Sequence, residues 1–522
     1  MPISVRRASV AATLTALVLT TAPAAHAAGD HATHRGGLTP RTHFRMLPDG
    51  SSGARSDGEG IPNVDSVKAT IARYYGDRGN GIANKRHSPY ITQMSRIEKK
   101  WLTWLKAHKP KAGQKKALVF DTDDTTLMTY DMEVHAMHFN FDTVLQNTYV
   151  QEQRFPATPG MVRLVNHAQR WGYTIFGVTG RNDDQKAATL ANLAKVGYRG
   201  FTADRFFTKW TGTGSSQQPS YIQCATSKCS TVEFKALTRR HIQNDLGYPV
   251  VANFGDQWSD LQGGYARRYV KLPNPTYYLP STNLPGVVQP KLAPRNRFTM
   301  KPGGASGAKP DGEGIPNIDS VKATVKAYYG DTGTGTANTS ASPYLTQLQR
   351  IEKRETAYLQ RACAVGVRRH TKPALVLDTD DTTLWTYDLE VGLMKFVFDP
   401  ALQDQWVQGQ KFAAVPGMVS LANAAQQAGC TVIGITGRSA SQKAASLANL
   451  AKVGYTGFTA ANYYTKPAGF KGSTVAYKSS RRHHVQRQGY TIVDNIGDQF
   501  SDLKGGFSKR TVKLPNPTYY LP

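Results

Sequence analysis

The sequence predicts an α/β protein made of two tandem units, each a Rossmann-like parallel sheet covered by helices and carrying a small cap insert. Three observations predict it. The chain repeats itself, short apolar runs alternate with helical periodicities, and in each copy apolar runs stop at aspartates. "HFRMLPDGSSGARSDGEGIPNVDSVKATIARYYGD" returns as "RFTMKPGGASGAKPDGEGIPNIDSVKATVKAYYGD", with Asp57 matching Asp311 at an offset of 254. "ALVFDTDDTTL" returns as "ALVLDTDDTTL" at an offset of 257, and "KLPNPTYYLP" returns at 242. The drop places an insertion in the first copy, "WTGTGSSQQPSYIQCATSKC". A period of this length means whole domains rather than a solenoid. The units are expected at 44–281 and 298–522, joined by a proline-rich linker over 282–297.

The first thirty residues stand apart. Arg6 and Arg7 precede an apolar stretch and then Ala25-His26-Ala27, which predicts a secretory signal peptide over 1–27 and an exported, extracellular protein. No later run reaches the roughly eighteen apolar residues of a membrane span. The 522-residue chain carries 64 Lys and Arg against 37 Asp and Glu, a formal charge of +27 that suits anionic substrates. The basic residues are dispersed, which speaks against specific nucleic-acid binding. Four cysteines in an exported chain could pair. Cys224 and Cys229 suggest a local staple, and Cys363 with Cys430 a second bridge.

Within the first copy, Ser88-Pro89 starts a helix, and Ile91, Met94, Ile97, Trp101 and Leu105 recur at helical spacing. Strand "ALVF" follows and ends at Asp121. After an aromatic-rich stretch come helix "MVRLVNHAQRWG", strand "TIFGVTG", helix "QKAATLANLAKVG" and strand "YPVVANFGD". Continuous apolar strands separated by helices indicate a parallel sheet buried on both faces. Such sheets bind ligands beyond the carboxyl ends of their strands, where the aspartates fall.

Four polar motifs occur in the same order in both copies: Asp121 and Asp123, Thr179 in "VTGR", Lys235, then Asp256 and Asp260 in "GDQWSD"; and Asp378 and Asp380, Thr436 in "ITGR", Lys478, then Asp498 and Asp502 in "GDQFSD". Carboxylates from two strand ends would hold a hard cation such as Mg2+, with lysine and threonine binding a tetrahedral anion.

These motifs resemble those of haloacid-dehalogenase-like phosphohydrolases, in particular class B acid phosphatases and plant vegetative storage proteins. "GIPNIDSVK", "SPY", "NIGDQFSDL" and "KLPNPTYYLP" extend the likeness over nearly all of each repeat. The resemblance implies an aspartyl-phosphate mechanism. Asp121 and Asp378 would be nucleophiles, and Asp123 and Asp380 acid/base groups. Thr179, Lys235, Thr436 and Lys478 would hold the phosphoryl oxygens. Mg2+ would sit on Asp121, the Asp123 carbonyl and Asp256, or on Asp378, Asp380 and Asp498, with Asp260 and Asp502 orienting the site from behind. Small phosphomonoesters, nucleotides or aryl phosphates among them, are the expected substrates. The alternative is a storage or polyanion-binding protein with little turnover.

Several residues have plainer readings. Asp124 and Asp381 are expected to cap the next turn, and Thr125 and Thr382 to bond local backbone. Arg181 and Arg438 could touch substrate or form scaffold ion pairs. His135, His138, His483 and His484 are expected to be ordinary. Tyr130, Phe139, Trp385 and Phe396, in the stretch expected to cap the pocket, could stack on a substrate ring or form the cap's own core.

Overall fold

In a computed structural model, residues 38–522 are described except positions 56 and 310; the leader predicted at 1–27 lies outside them. The first repeat runs β1 (His43–Arg45), α1 (Val64–Tyr75), α2 (Pro89–Ala107), β2 (Ala117–Phe120), α3 (Thr143–Gln151), α4 (Met161–Arg170), β3 (Thr174–Asn182), α5 (Lys186–Lys195), β4 (Phe206–Lys209), α6 (Thr231–Asn244), β5 (Val250–Gly255), α7 (Trp258–Leu261) and β6 (Tyr269–Lys271). The second runs β7 (Arg297–Thr299), α8 (Ile318–Tyr329), α9 (Pro343–Arg368), β8 (Lys372–Leu377), β9 (Leu384–Trp385), α10 (Pro400–Gln408), β10 (Ala413–Ala414), α11 (Met418–Gln427), β11 (Thr431–Ser439), α12 (Lys443–Lys452), β12 (Tyr463–Lys466), α13 (Thr474–Arg487), β13 (Tyr490–Gly497), α14 (Phe500–Leu503) and β14 (Thr511–Lys513).

Each repeat holds a five-stranded parallel sheet, ordered β4-β3-β2-β5-β6 and β12-β11-β8-β13-β14. All four residues of β2 are buried, as a central strand covered on both faces requires. Register then positions the chemistry. Phe120 lies opposite Phe254 on one side and Gly177 on the other. Asp121, Asp256 and Thr179 therefore emerge together at the carboxyl end of the sheet. Leu377 has the equivalent partners Ile496 and Gly434. Local chemistry sets the helix starts: Asn63 caps α1, and Ser88 caps α2 with Pro89 in its first turn. Both cysteine pairs are disulfides, Cys224–Cys229 and Cys363–Cys430, which suits an oxidising compartment. Among the described residues, no helix is long and apolar enough to cross a membrane.

The repeats are not laid side by side. The N-terminal arm of each crosses to the other, in contacts related by a pseudo-twofold. β1 pairs antiparallel with β7, Phe44 opposite Phe298. Asn63 Nδ2 donates to the Tyr519 carbonyl and Asn317 Nδ2 to that of Tyr277, each at 2.6 Å. Val64 N–H bonds Pro517 O, and Ile318 N–H bonds Pro275 O. Lys513 pairs with Glu59 and Lys271 with Glu313. One hydrophobic cluster consequently runs through both repeats, from Phe44 to Leu514. Reciprocal contacts of this kind are those of a symmetric dimer, here within one chain. Two glycines permit the close approach: a Cβ on Gly53 would lie 2.0 Å from the Thr324 carbonyl oxygen, and one on Gly307 1.9 Å from that of Thr70.

The copies also differ. Asp494, fully buried in β13, stands where the first repeat has Ala252. Burial beside Glu355 pushes its carboxyl from 3.8 up to about 8, with Arg510 opposing.

Gly307→Ala is expected to destabilise the protein by about 1–3 kcal/mol, because a backbone carbonyl occupies the methyl's space; a melting curve superimposable on wild type would show that the arm is not seated there. Between about pH 4 and about pH 8 the folded chain holds a proton on Asp494 that the unfolded chain releases, so stability falls as pH rises across that window. Asp494→Asn removes this slope. The variant is expected to melt above the parent at pH 8, with the difference closing toward pH 4.

Candidate active site

At the carboxyl end of the first sheet, Asp121, Asp256 and Asp260 each offer an oxygen within 4.8 Å of the others, all buried. Asp378, Asp498 and Asp502 repeat the arrangement. Each trio is joined by one lysine. Lys235 Nζ donates to Asp121 Oδ1 at 2.7 Å and Asp260 Oδ1 at 2.5 Å; Lys478 does so to Asp378 at 2.6 Å and Asp502 at 2.5 Å. Burial raises the Asp121 carboxyl well above its usual range, while the Lys235 ammonium works against the rise. Burial favours the neutral amine of Lys235, yet Asp121 and Asp260 outweigh it and raise the lysine's pKa. With every group ionised, three carboxylates and one ammonium leave two negative charges, which a divalent cation matches. The hard oxygen donors fit such an ion.

Local structure delivers the lysine. Ser230 and Glu233 form a reciprocal capping box that opens α6, with Lys235 in its second turn. Fully buried Arg239, one turn on, donates to the carbonyls of Asp260 at 2.6 Å and Gly264 at 3.0 Å, binding α6 to the loop around α7. Asp260 spends its second oxygen on the Gln257 N–H at 2.8 Å. It is thereby held between lysine and backbone.

Asp256 is fixed from four sides. Asn274 and Gln257 donate to Oδ2 at 2.8 Å, Tyr277 O–H to the same oxygen at 3.1 Å, and Thr125 O–H to Oδ1 at 3.1 Å. Burial and then Asp260 push its carboxyl up to about 6, with Asn274 and Gln257 opposing. In the second copy Asn516, Gln499, Tyr519 and Thr382 make the same contacts to Asp498. Thr125 and Thr382 thus differ from expectation. Their hydroxyls reach across the fold to the far acid, Thr125 to Asp256 after β5 and Thr382 to Asp498 after β13, rather than to nearby backbone. Asn274 and Tyr277 lie outside the four sequence motifs. The one signal for them is the identity of "KLPNPTYYLP" in both copies, for which strand and helix periodicity supply no role.

Asp123 lies apart from the acidic trio. Its carboxylate is gripped by Arg181, at 2.6 Å to Oδ1 and 3.1 Å to Oδ2, and Arg181 also bonds Thr189 and lies over the Phe155 ring. Arg438 holds Asp380 likewise. Of the two readings for these arginines, the ion pair is the one observed. Asp124 has the left-handed φ of 48° and accepts the Thr129 N–H at 3.0 Å. It shapes the entry to the cap. Thr179 and Thr436 are fully buried and accept the N–H of Arg181 and Arg438 at 3.3 and 3.2 Å. At that corner of the second repeat, Gly437 and Arg438 line the cleft.

That cleft measures about 490 Å³ and is bounded by Asp378, Asp380, Glu390, Phe398, Arg438 and Lys478 among others. Tyr130 and Trp385 are buried against the helices beneath the cap stretch: Tyr130 stacks on Tyr75 of α1 with ring centroids 4.2 Å apart, and Trp385 on Tyr344 of α9 at 5.4 Å. Phe139 and Phe396 are buried as well, although Phe396 reaches the cleft wall. His135 bonds the Asn80 carbonyl, and His483 stacks on Phe507; neither joins the acids.

A parallel sheet with an acid–lysine centre at its carboxyl edge and a cap inserted after the first acidic strand defines the haloacid-dehalogenase-like class. More narrowly, the chain belongs to the HAD superfamily, subfamily IIIB (acid phosphatase), whose family model matches residues 82–280 and 319–522. It is 35% identical to the stem 28 kDa glycoprotein of Glycine max over 156 residues, 29% of this chain and 61% of that protein. It is 30% identical to vegetative storage protein 1 of Arabidopsis thaliana (40% of this chain, 74% of that one). With acid phosphatase 1 of Solanum lycopersicum the identity is 31%, over 34% of this chain and 69% of the relative. The chain spans less than two thirds of the soybean glycoprotein.

Asn274→Ala removes a donor that holds Asp256. It is expected to weaken divalent-cation binding by about tenfold or more, read by titration calorimetry; an unaltered affinity would separate Asn274 from the acidic centre.

Proposed function

We propose that the chain is an exported, Mg2+-dependent phosphomonoesterase with one active site per repeat, working through an aspartyl phosphate. The observation that carries this reading is the doubled cluster of three buried aspartates, two of which are bridged by a lysine. Mg2+, when bound by Asp121, the Asp123 carbonyl and Asp256, would neutralise charge on the transferring phosphoryl group.

The chain's own residues supply the rest. Lys235 takes one oxygen of Asp121, and the other oxygen attacks phosphorus in line. The P–O bond to the leaving group breaks, and Asp123, having taken up a proton from solvent before the step, gives it to the departing oxygen. Asp123 then accepts a proton from water, whose oxygen attacks phosphorus, releasing phosphate and freeing Asp121. Arg181 sets the direction of Asp123 throughout. Thr179 and Lys235 hold the phosphoryl oxygens, and Asp260 keeps the lysine in line. Asp378, Asp380, Thr436, Lys478, Asp498 and Asp502 repeat these roles in the second copy. The vegetative storage relatives favour one other reading, a storage or polyanion-binding protein with little turnover.

Hydrolysis of p-nitrophenyl phosphate separates the two. Asp121→Asn and Asp378→Asn should each leave partial, Mg2+-dependent activity, and the double variant should lose about a thousandfold or more. Full activity in the double variant would exclude both nucleophiles, and negligible turnover by the wild type would favour storage.

A further inference from the structure

Asp65 lies on α1 of the first repeat, yet it lines the cleft that holds Asp378 of the second. The exchanged arm puts it there. Asn63 and Val64 bond the carbonyls of Tyr519 and Pro517, in the same tail whose Asn516 and Tyr519 grip Asp498. Asp65 Oδ2 accepts the Tyr520 N–H at 3.3 Å. Lys68, one turn on, stands 3.5 Å from Asp65 and donates to the Phe396 carbonyl in the second repeat's cap. That carbonyl belongs to a left-handed residue, φ 62°, so the cap loop there is held by a cation from the other repeat.

The first repeat receives the mirror set. Asp319 accepts the Tyr278 N–H at 3.2 Å, and Lys322 donates to the Phe139 carbonyl and to Asn140 Oδ1. The wall beside Asp65 carries Glu390, whose carboxyl is pushed up to about 8 by burial, then by Asp381 and Asp65. Asp65 adds a carboxylate to that wall, its Oδ2 on the Tyr520 N–H and its Oδ1 3.5 Å from Lys68. Phe396 and exposed Phe398 supply an apolar surface next to it.

We propose that the Asp378 cleft selects its leaving group with an acid supplied by the opposite repeat, Asp65, and that Asp319, which holds the matching position across the pseudo-twofold, does the same at the Asp121 site. The selection favours a leaving group that joins an apolar ring to a cationic or hydrogen-bond-donating end, and it disfavours a second anion. This rests on the phosphatase reading of the clefts.

The test uses the full chain with one nucleophile removed and compares KM for 4-(aminomethyl)phenyl phosphate and 4-methylphenyl phosphate. In the Asp121→Asn background, where only the second cleft turns over, Asp65→Asn should reduce the preference for the cationic ester about fivefold, the scale of a half-exposed ion pair. In the Asp378→Asn background the same loss should follow Asp319→Asn instead. A loss appearing in the acid's own repeat, or in neither background, overturns the proposal. Partial misfolding lowers turnover of both esters alike and leaves their KM ratio intact, and Asp65→Glu should restore the preference. Calorimetry with the matching phosphonates needs no turnover. An inactive wild type that still prefers the cationic phosphonate, with the preference lost in Asp65→Asn/Asp319→Asn, would refute catalysis and support the selection; no preference would refute the selection.

Discussion

The structure turns on a crowd of like charges. At the end of two adjacent parallel strands, three carboxylates are buried within a few ångströms of one another, and one ammonium is bonded to two of them. Such a group is stable only when every oxygen has a partner and the surplus charge can be met. Much of the surrounding sequence serves that requirement. The capping box of α6 aims the lysine, Arg239 ties the helix to the acidic loop, and the asparagine and tyrosine of the C-terminal tail hold the most buried acid.

That tail links the acidic centre to the architecture. "KLPNPTYYLP" touches the acidic centre of its own repeat with its side chains and the arm of the other repeat with its carbonyls. An arm could not leave without exposing part of the common core and freeing the tail that orders Asp256 or Asp498. Duplication has therefore produced an intramolecular pair whose halves are joined through their functional ends, with glycines at the seam where backbones come within contact of one another.

The two copies keep the centre and diverge around it. The insertion in the first is stapled by Cys224–Cys229, whereas the second braces α9 against the strand-leading turn with Cys363–Cys430. The buried Asp494 belongs to the second copy alone, and the caps differ in many of their side chains. The acids and the lysine of the centre are unaltered between the copies, while the residues around them diverge.

By itself the sequence determined the α/β class, the duplication, the strand-ending acids and the lysine of each copy. These are written in local periodicity and in ordered motifs, which need no knowledge of distant contacts. Only the tertiary structure decided that Thr125 faces Asp256, that Arg181 holds Asp123, and that Asn274 and Tyr277 belong to the centre. It alone decided that the arms cross, so that Asp65 stands in the cleft of the other repeat. The reason is physical: such contacts join residues far apart in the chain, and their partners are set by sheet register and by packing across a seam that no spacing within one repeat encodes.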